Sequence, residues 1–307
     1  MKQEDDNWTK DYWDFMVKED FEAAIPLKDS HFPKSFFKYR ALSDKSIDII
    51  EQSYVWLSEI SLLNDPFECT IQFDNDKCLR EFYGSEKFQS TFGFATGHTL
   101  SKKEIENLTT SEKPYDEYIK ICSSNSIPLD QTAGQQLKKV QNRWTEIVDE
   151  TNRNLRICSF SLTNSSLLLW SHYSDEHKGI CIEYDFQDDD EIRPFIQPVI
   201  YSNKVHKIGL FEEYTTMNMI ASSLIKSKDW KYEQEWRITS FKQKEEFPQK
   251  MKTPKPKAIY IGTRFSTNKE DLKAQLIKTA KDNDIPIYQM TKDTNEFKLI
   301  AGQSHYR

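Results

Sequence analysis

The chain has 307 residues, of which 37% are hydrophobic, 30% charged and 13% aromatic, and its formal net charge is −7. This length suffices for one large domain or two small ones, and the aromatic content is too high for a disordered chain. The negative charge argues against broad electrostatic binding of nucleic acid, although it leaves room for a local basic groove. The wholly apolar runs, such as LLLW at 167–170, are too short for a transmembrane helix.

The sequence lacks the short motifs of several common functional classes. Its five cysteines form no C-x-x-C pair and its six histidines do not cluster with them, so structural zinc is not expected. The N-terminus MKQEDDNWTK is acidic and has no apolar core. We therefore expect no secretory signal, reduced thiols and a cytoplasmic location. The eight glycines form neither G-x-G-x-x-G nor G-x-x-x-x-G-K-[ST], so the common phosphate-binding loops are absent.

Residues 1–35 are predicted to form an N-terminal helix and a linker. The helix covers residues 7–24, and the linker is the polar, proline-containing stretch IPLKDSHFPKS. Such a helix suits a packing arm, a lid or a docking segment for a partner protein. Apolar residues recur at helical spacing on one face: Trp8, Tyr12, Phe15 and Met16.

Residues 36–307 are predicted to form a single α+β domain with a helical insertion at about 76–153. Strands and helices intermix without a regular βαβ rhythm, which favours a mostly antiparallel sheet, continuous or split. Period-2 alternation and β-rich composition predict the strands: 36–40, 53–59, 70–74, 155–163, 179–186, 198–202, 257–265, 286–291 and 296–301. Helices are predicted at 41–52, 206–227 and 267–283.

The stretch DWKYEQEWRI, residues 229–238, is interpreted as a further strand. Strand alternation then places Trp236 and Ile238 on one face and Glu233 and Glu235 on the other. Two interpretations fit this pattern. The strand is half-buried with its charges in water, or the two carboxylates face a substrate.

Three strand motifs together suit one kind of chemistry. Arg40 ends FFKYR, Ser159 and Ser161 alternate in CSFSLT, and Glu-x-Glu follows at 233–235. Cleavage of the N-glycosidic bond of NAD builds positive charge on the ribose, which a fixed carboxylate stabilises. An arginine binds a pyrophosphate with two hydrogen bonds, and small serines allow close approach of the nicotinamide end.

This order resembles the Arg–Ser–Glu arrangement of ADP-ribosyltransferases, with Ser159-Phe160-Ser161 in place of their Ser-Thr-Ser. The resemblance implies NAD as substrate and a protein or nucleic acid as acceptor. It implies that Arg40 binds phosphate and that Ser159 and Ser161 line the nicotinamide side. Glu235 would stabilise the ribose cation, and Glu233 would position the acceptor.

A second resemblance covers most of the chain from Phe36 to about Phe265. Five blocks carry it: Tyr39-Arg40, NDPFE at 64–68, LWSHY at 169–173, HKGIC at 177–181 and WxYExEWR at 230–237. They resemble the signatures of the bacterial family known as domain of unknown function 2971. Some members of that family lie near abortive-infection genes, which implies a role in antiviral defence or as a toxin. The resemblance implies no activity.

Individual residues in these blocks keep two interpretations. Asn64 and Asp65 before Pro66 form a good turn or bind a ligand, while Trp170 and Tyr173 suit the core. The predicted catalytic residues are Glu235, Glu233 and His172. The predicted NAD-binding residues are Tyr39, Arg40, Asn64, Asp65, Ser159, Ser161, Trp170, Tyr173, Tyr232 and Arg237.

Two alternatives to an NAD-cleaving enzyme stay open. One is a metal-dependent nuclease or phosphotransferase whose Mg²⁺ ligands are carboxylates: Asp65, Glu68, Glu233 and Glu235. The other is a non-enzymatic defence protein that docks a partner through its N-terminal helix. The NAD hypothesis requires that Arg40, Ser159 and Glu235 line one pocket.

Overall fold

The computed structural model describes residues 7–68, 72–129, 142, 145–146, 149–150, 152–208, 216–241, 249–265 and 270–306. The chain forms two compact units. The first consists of residues 1–68, 154–203 and 224–307, and the second of 69–153 and 204–223. The predicted helical insertion falls within the second unit, and its part at 130–141 lies outside the described residues.

The first unit contains a nine-stranded sheet, whose strands are β1 Phe36–Arg40, β3 Ser58–Glu59, β5 Leu155–Ser161, β6 Ile180–Tyr184, β7 Ile196–Pro198, β11 Glu235–Phe241, β13 Ala258–Ile261, β14 Ile287–Lys292 and β15 Leu299–Tyr306. Their order in the sheet is β15-β14-β13-β6-β1-β5-β11-β7, with β3 pairing with β5. All neighbouring pairs are antiparallel except β13 and β14. This confirms the predicted α+β class with a mostly antiparallel sheet.

Two smaller sheets complete the first unit. β2 (Tyr54–Trp56) pairs antiparallel with β12 (Lys250–Lys252), and β8 (Ile200–Ser202) pairs parallel with β10 (Ile225–Ser227). The last pair matters for the site, because it sets Lys226 beside Tyr201.

The large sheet opens between β1 and β5. These strands are in register at one pair only, Phe37 with Ser161, whereas β5 pairs with β11 along its whole length. Further along the same edge of β5, the partner is β3, with Ser58 opposite Ile157. The nine strands still form one continuous sheet, and the opening lies between two of the three strands that carry the motifs.

One face of this sheet carries the hydrophobic core of the first unit. Phe36 of β1 packs against Phe160 of β5 and Trp236 of β11, with ring centroids 6.1 and 5.8 Å away, respectively. Helix α3 (Asp44–Glu51) begins at a capping box on Ser43 and lies against the same core. The C-terminal helix α10 (Glu270–Asp282) adds its apolar side.

The N-terminal segment is two helices rather than a helix and a linker. Helix α1 (Asn7–Val17) ends before Glu19, whose φ of 59° is left-handed. The Asp20 side chain then caps α2 (Phe21–Ser30), which continues through Pro26 into the predicted linker. The composition of the linker suggested a break there, but the cap at Asp20 starts a new helix instead.

The apolar face of α1 packs on its own unit. Tyr12 and Trp13 are buried, and Trp13 Nε1 donates to the carbonyl of Pro198 at 3.3 Å. Tyr12 donates to Gln197, and Lys28 Nζ of α2 donates to the carbonyl of Arg193 at 2.8 Å. The helices thus cover β7, an edge strand that would otherwise expose unpaired backbone groups. Of the predicted roles, the packing arm describes these contacts.

The second unit is mainly helical. Its core is aromatic, with Tyr83 stacked on Tyr118 at 5.3 Å and Phe88 and Phe92 packed beside them. Two short strands, β4 (Gln72–Phe73) and β9 (Lys207–Ile208), pair parallel. The helices are α4 Asn75–Gly84, α5 Glu86–Thr96, α6 Lys102–Thr110, α7 Pro114–Ser124 and α9 Thr216–Ser223, while α8 (Leu167–Tyr173) belongs to the first unit.

The predicted helix at 206–227 is confirmed at Thr216–Ser223 and is wrong at both ends, which form strands. In the described residues of this range, β9, α9 and β10 follow one another, and 209–215 lie outside the described residues. No helix in the described part of the chain is both long and apolar enough to cross a bilayer. The four cysteines among the described residues are free and buried: Cys78, Cys122, Cys158 and Cys181.

Candidate functional site

The stretch at 229–238 is only partly a strand. Lys228–Glu233 form a 3₁₀ helix, which Ser227 starts by accepting a hydrogen bond from the backbone N–H of Asp229. Gln234 then adopts a left-handed φ of 47°, and β11 begins at Glu235. The predicted strand is therefore wrong before Glu235, because a residue in the left-handed region ends an extended run. Glu233 and Glu235 do not share a strand face through alternation.

From Glu235 onward the predicted faces are correct. Trp236 and Ile238 lie in the hydrophobic core. Glu235 and Arg237 point the other way, and their partners across the ladder are Ser161 and Ser159. Directly opposed residues on neighbouring strands share a face. The Ser-x-Ser motif and the second glutamate of the Glu-x-Glu motif therefore lie side by side.

A pocket of about 130 Å³ lies at the opening between β1 and β5. All its lining residues belong to the first unit. Aromatic rings, two serines, three carboxylates and two lysines contribute to it: Phe37, Lys38, Tyr39, Leu63, Asn64, Glu68, Ser159, Phe160, Ser161, Tyr173, Lys226, Glu233 and Glu235.

Lys226 lies at the centre of the polar groups. Its Nζ donates to Glu233 Oε2 at 2.6 Å and to Glu235 Oε2 at 2.9 Å, and it is 3.4 Å from Glu68 Oε1. Its side chain is 3% exposed, so these carboxylates replace water as its hydrogen-bonding partners. Lys226 brings together two glutamates that the backbone places on different elements.

Arg237 fixes the orientation of Glu235. Its guanidinium binds that carboxylate with two hydrogen bonds, Nε to Oε1 at 2.6 Å and Nη2 to Oε2 at 3.0 Å. Arg237 also donates to Glu68 and is fully buried. Two hydrogen bonds from one planar group hold a carboxylate in one orientation. Arg237 therefore supports the pocket from behind and does not line it.

Glu233 is linked to the surface by a short chain of hydrogen bonds. Tyr173 OH donates to Glu233 Oε1 at 2.9 Å and accepts from Asn64 Nδ2 at 3.2 Å. Glu233 thus accepts one hydrogen bond at each carboxylate oxygen, whereas Glu235 accepts one from Lys226 and two from Arg237, and the Ser159 hydroxyl also lowers its pKa. Because an ionised carboxylate has about four acceptor positions, Glu233 is the one with capacity for a ligand.

The two glutamates have pKa values shifted in opposite directions. Burial alone would raise the pKa of Glu235, but Arg237 and Lys226 outweigh it and hold that pKa well below its usual range. Burial raises the pKa of Glu233, Lys226 opposes this shift, and the Glu235 charge adds to it. Glu235 is therefore a permanent anion, whereas Glu233 can carry a proton closer to neutral pH.

The pocket contains some of the predicted site residues. Among the predicted residues that line the pocket, Glu233 and Glu235 were predicted to be catalytic and the remaining ones to bind NAD. The residues that line it are Glu233, Glu235, Tyr39, Asn64, Ser159, Ser161 and Tyr173.

Arg40 is not among the lining residues. Alternation along β1 places Phe37 on the face of Ser161 and places Phe36, Lys38 and Arg40 on the opposite face, but Lys38 still lines the pocket at the opening between β1 and β5. The three motifs therefore lie on adjacent strands, but the predicted phosphate-binding guanidinium does not line the pocket.

The other predicted residues have structural surroundings. Trp170 is fully buried, packs on Tyr39 with centroids 5.3 Å apart, and donates to the carbonyl of Asn164. Asp65 Oδ1 accepts from the backbone N–H of Phe67 at 2.9 Å, which is the turn interpretation. His172 is exposed, and Tyr232 packs on the cluster that contains Trp170.

Sequence reasoning missed four residues of the site. Lys38 and Lys226 were not selected, Glu68 was considered only as a metal ligand, and Tyr201 was not considered. Tyr201 OH accepts from the backbone N–H of Glu235 at 2.8 Å. Glu68 could have been found from the sequence because it belongs to the NDPFE block, whereas no local pattern marks Lys226 as a site residue.

Glycine in the HKGIC block has a packing explanation. A Cβ on Gly179 would lie 2.2 Å from the carbonyl oxygen of Arg40, so no side chain fits there. Its N–H donates to the carbonyl of Ser174 at 2.8 Å. This block holds the loop against β1 and does not line the pocket.

Comparison with known proteins gives one match. Residues 169–238 match the model of a family described as Protein of unknown function (DUF2971). The resemblance predicted from the sequence is confirmed over this segment, which carries the LWSHY, HKGIC and WxYExEWR blocks. No curated protein and no solved structure matches the chain. The match relates this segment to DUF2971, whose description names no activity.

The described residues contain no group of three His, Cys, Asp or Glu side chains arranged to hold a metal ion. Glu68, Glu233 and Glu235 do converge, but Lys226 and Arg237 occupy the space between them. Three anions and two cations leave a formal charge of −1 when all are ionised. The positive side chains neutralise these carboxylates where a metal ion would otherwise do so.

Proposed function

We propose that the pocket binds NAD and cleaves its N-glycosidic bond, with water or an acceptor group as nucleophile. The observation that carries this proposal is the pair of buried glutamates whose pKa values are shifted apart within one pocket. Two carboxyl groups in different environments are how one site supplies both a fixed anion and a proton acceptor.

Glu235 provides the fixed anion. As the bond to nicotinamide lengthens, positive charge develops on the ribose, and a carboxylate that is already oriented stabilises it without reorganising. Arg237 and Lys226 keep Glu235 ionised and oriented. A ribose hydroxyl reaches Glu235 by replacing the hydroxyl of Ser159.

Glu233 is the proton acceptor. Its carboxylate accepts the proton of the attacking water or hydroxyl, and neutral nicotinamide leaves with the bonding electrons. The Tyr173–Asn64 chain connects Glu233 to solvent, so the proton can leave the site. A general base works best when its pKa lies near the working pH, which the raised pKa of Glu233 favours.

The pocket volume of about 130 Å³ is too small for a whole dinucleotide. Sites that enclose a drug-sized ligand have about 300–1,000 Å³. We therefore place only the nicotinamide–ribose part of NAD in the pocket, with the adenylate outside it.

Release of nicotinamide from NAD, measured by chromatography, tests this proposal. Wild type should release it, and Glu235→Gln should slow release by about 10²-fold or more, because a preorganised charge is lost. Glu183→Gln is the matched control: Glu183 is equally buried in the first unit, but it binds Tyr260 and Ser35 outside the pocket. Circular dichroism verifies that each variant is folded.

Absence of both nicotinamide release and NAD binding in wild type would contradict the proposal and favour a non-enzymatic protein. A metal-dependent nuclease is not favoured, because Lys226 and Arg237 already neutralise the carboxylates it would need. The acceptor, a defence or toxin role and a cytoplasmic location stay predictions.

A further inference from the structure

Lys38 is a second cation at the pocket, and its surroundings differ from those of Lys226. It lies on β1 at the opening of the sheet, partly buried, and its Nζ donates to the backbone carbonyl of Ser159 at 2.6 Å. The ring of Phe160 lies 5.9 Å from the ammonium. Among the described residues, no carboxylate lies within salt-bridge distance of Lys38.

The hydrogen-bonding capacity of Lys38 is largely unused. A lysine ammonium has three donors, and the carbonyl of Ser159 takes one. Lys226, in contrast, is surrounded by three carboxylates. Burial lowers the pKa of Lys38, and an anion bound beside it would offset that effect. Of the two lysines that line the pocket, only Lys38 has free donors for a ligand.

The pocket thus offers two kinds of contact to one ligand. Glu233 can accept hydrogen bonds from hydroxyl groups, and Lys38 can donate to an anionic group. Aromatic side chains of Phe37, Tyr39 and Tyr173 line the same pocket. A sugar with hydroxyls, a phosphate and a flat base meets all these features.

We propose that Lys38 binds a phosphate of the substrate, so that the pocket selects a phosphorylated ribonucleoside over the unphosphorylated nucleoside. This inference rests on the proposed function for the nucleoside part of the ligand. Lys38 takes the role that the sequence suggested for Arg40, which does not line the pocket.

The competing explanation is structural. The β1–β5 ladder stops after Phe37 and Ser161, and the Lys38 ammonium satisfies a backbone carbonyl that the ladder leaves unpaired. In that case Lys38 stabilises the opening of the sheet and has no preference for phosphate. Removing Lys38 would then weaken the binding of every ligand to the same extent.

Calorimetric titration with nicotinamide mononucleotide and with nicotinamide riboside separates the two explanations. Wild type should bind the mononucleotide on the order of tenfold or more tightly, as expected for a hydrogen bond to a charged group. Lys38→Met should remove this preference by weakening mononucleotide binding alone, and Lys38→Arg should retain it. Lys257→Met is the control, because the exposed Lys257 pairs with Glu183 outside the pocket.

Equal affinities in wild type, no binding of either compound, or parallel weakening by Lys38→Met would each overturn the inference. If Lys38→Met fails to fold, the wild-type preference and its competition by inorganic pyrophosphate still decide. Nicotinamide in each sample is measured separately. Phosphate-dependent binding without nicotinamide release supports Lys38 as the phosphate-binding residue and contradicts the proposed cleavage. Nicotinamide release without a preference for the phosphorylated compound supports the cleavage and contradicts the role of Lys38.

Discussion

Replacing Lys226 with methionine tests whether this side chain holds the carboxylates of the site together. Methionine preserves most of the apolar stem and removes the ammonium. Glu233 and Glu235, each about 5% exposed, then lose a charged hydrogen-bond donor at 2.6 and 2.9 Å. Breaking a buried ion pair on one side costs about 3–5 kcal/mol, because the remaining charge stays buried without compensation.

The pH dependence of this cost gives a sharper signature. Glu233 already has a raised pKa, so without Lys226 it escapes part of the cost by taking up a proton. The loss of stability should therefore be smaller near pH 5 than near pH 8. The double variant Lys226→Met/Glu233→Gln should recover part of the loss, since the second change removes a charge that the first leaves unpaired.

Urea unfolding followed by tryptophan fluorescence measures these differences at each pH. Lys257→Met serves as the control, because an exposed lysine contributes about 1 kcal/mol or less. A loss below about 1 kcal/mol for Lys226→Met at pH 8 would refute the reasoning. So would a loss that does not change with pH.

Three further predictions follow from the contacts of the first unit. Arg237 and Lys226 depress the pKa of Glu235 in the folded protein. The stability from this carboxylate is therefore present above its unfolded pKa of about 4.5 and is lost as the pH falls through the lower folded pKa. Acid unfolding of Glu235→Gln should lack this contribution. Tyr173→Phe should cost about 1–2 kcal/mol in urea unfolding and raise the pKa of Glu233, because Tyr173 OH donates to that carboxylate. An NMR titration in which the pKa of Glu233 does not change would contradict the hydrogen bond. Trp13→Ala should cost about 3–5 kcal/mol, since the ring is buried beside Pro198, while Lys10→Ala on the exposed side of α1 should have almost no effect; equal effects would show that α1 is not docked.

The strands of the sheet could be predicted from sequence because their alternation is local. β1 has the predicted bounds 36–40, and β5 and β6 lie inside the predicted 155–163 and 179–186. Alternating apolar residues that face a common core produce this pattern. The pairing of β1, β5 and β11 as neighbours was not predictable from such patterns, because it depends on contacts between residues far apart in the sequence, such as Phe37 with Ser161 and Ser161 with Glu235.

The site was predicted in part for a related reason. The Ser-x-Ser motif and Glu235 could be selected because regular alternation gives them one face. Glu233 enters the pocket through a 3₁₀ turn and a left-handed Gln234, for which residue types give no clear signal. Lys226 lies within a stretch that was predicted to be helical, so its pairing with the glutamates could not be expected.

Arg40 shows that the order of the motifs along the chain does not determine which of their side chains line the pocket. Phe36 and Arg40 are four residues apart on one strand and therefore share a face. Phe36 belongs to the core, and Lys38, which shares that face, still reaches the pocket at the opening between β1 and β5, so alternation along β1 does not decide which of its residues line the pocket. Applied to FFKYR alone, the same alternation leaves open which face is the core, because Phe36 and Phe37 are both apolar.

The initial rate of nicotinamide release from NAD by wild type, measured from pH 4.5 to pH 9, tests the account most directly. The rate of nicotinamide release should rise with pH through a single ionisation above pH 4.5. This ionisation is that of Glu233, because Glu235 stays ionised throughout. The same ionisation should be absent in Glu233→Gln. A chain that releases no nicotinamide at any pH in this range, or an unchanged profile in Glu233→Gln, would contradict it.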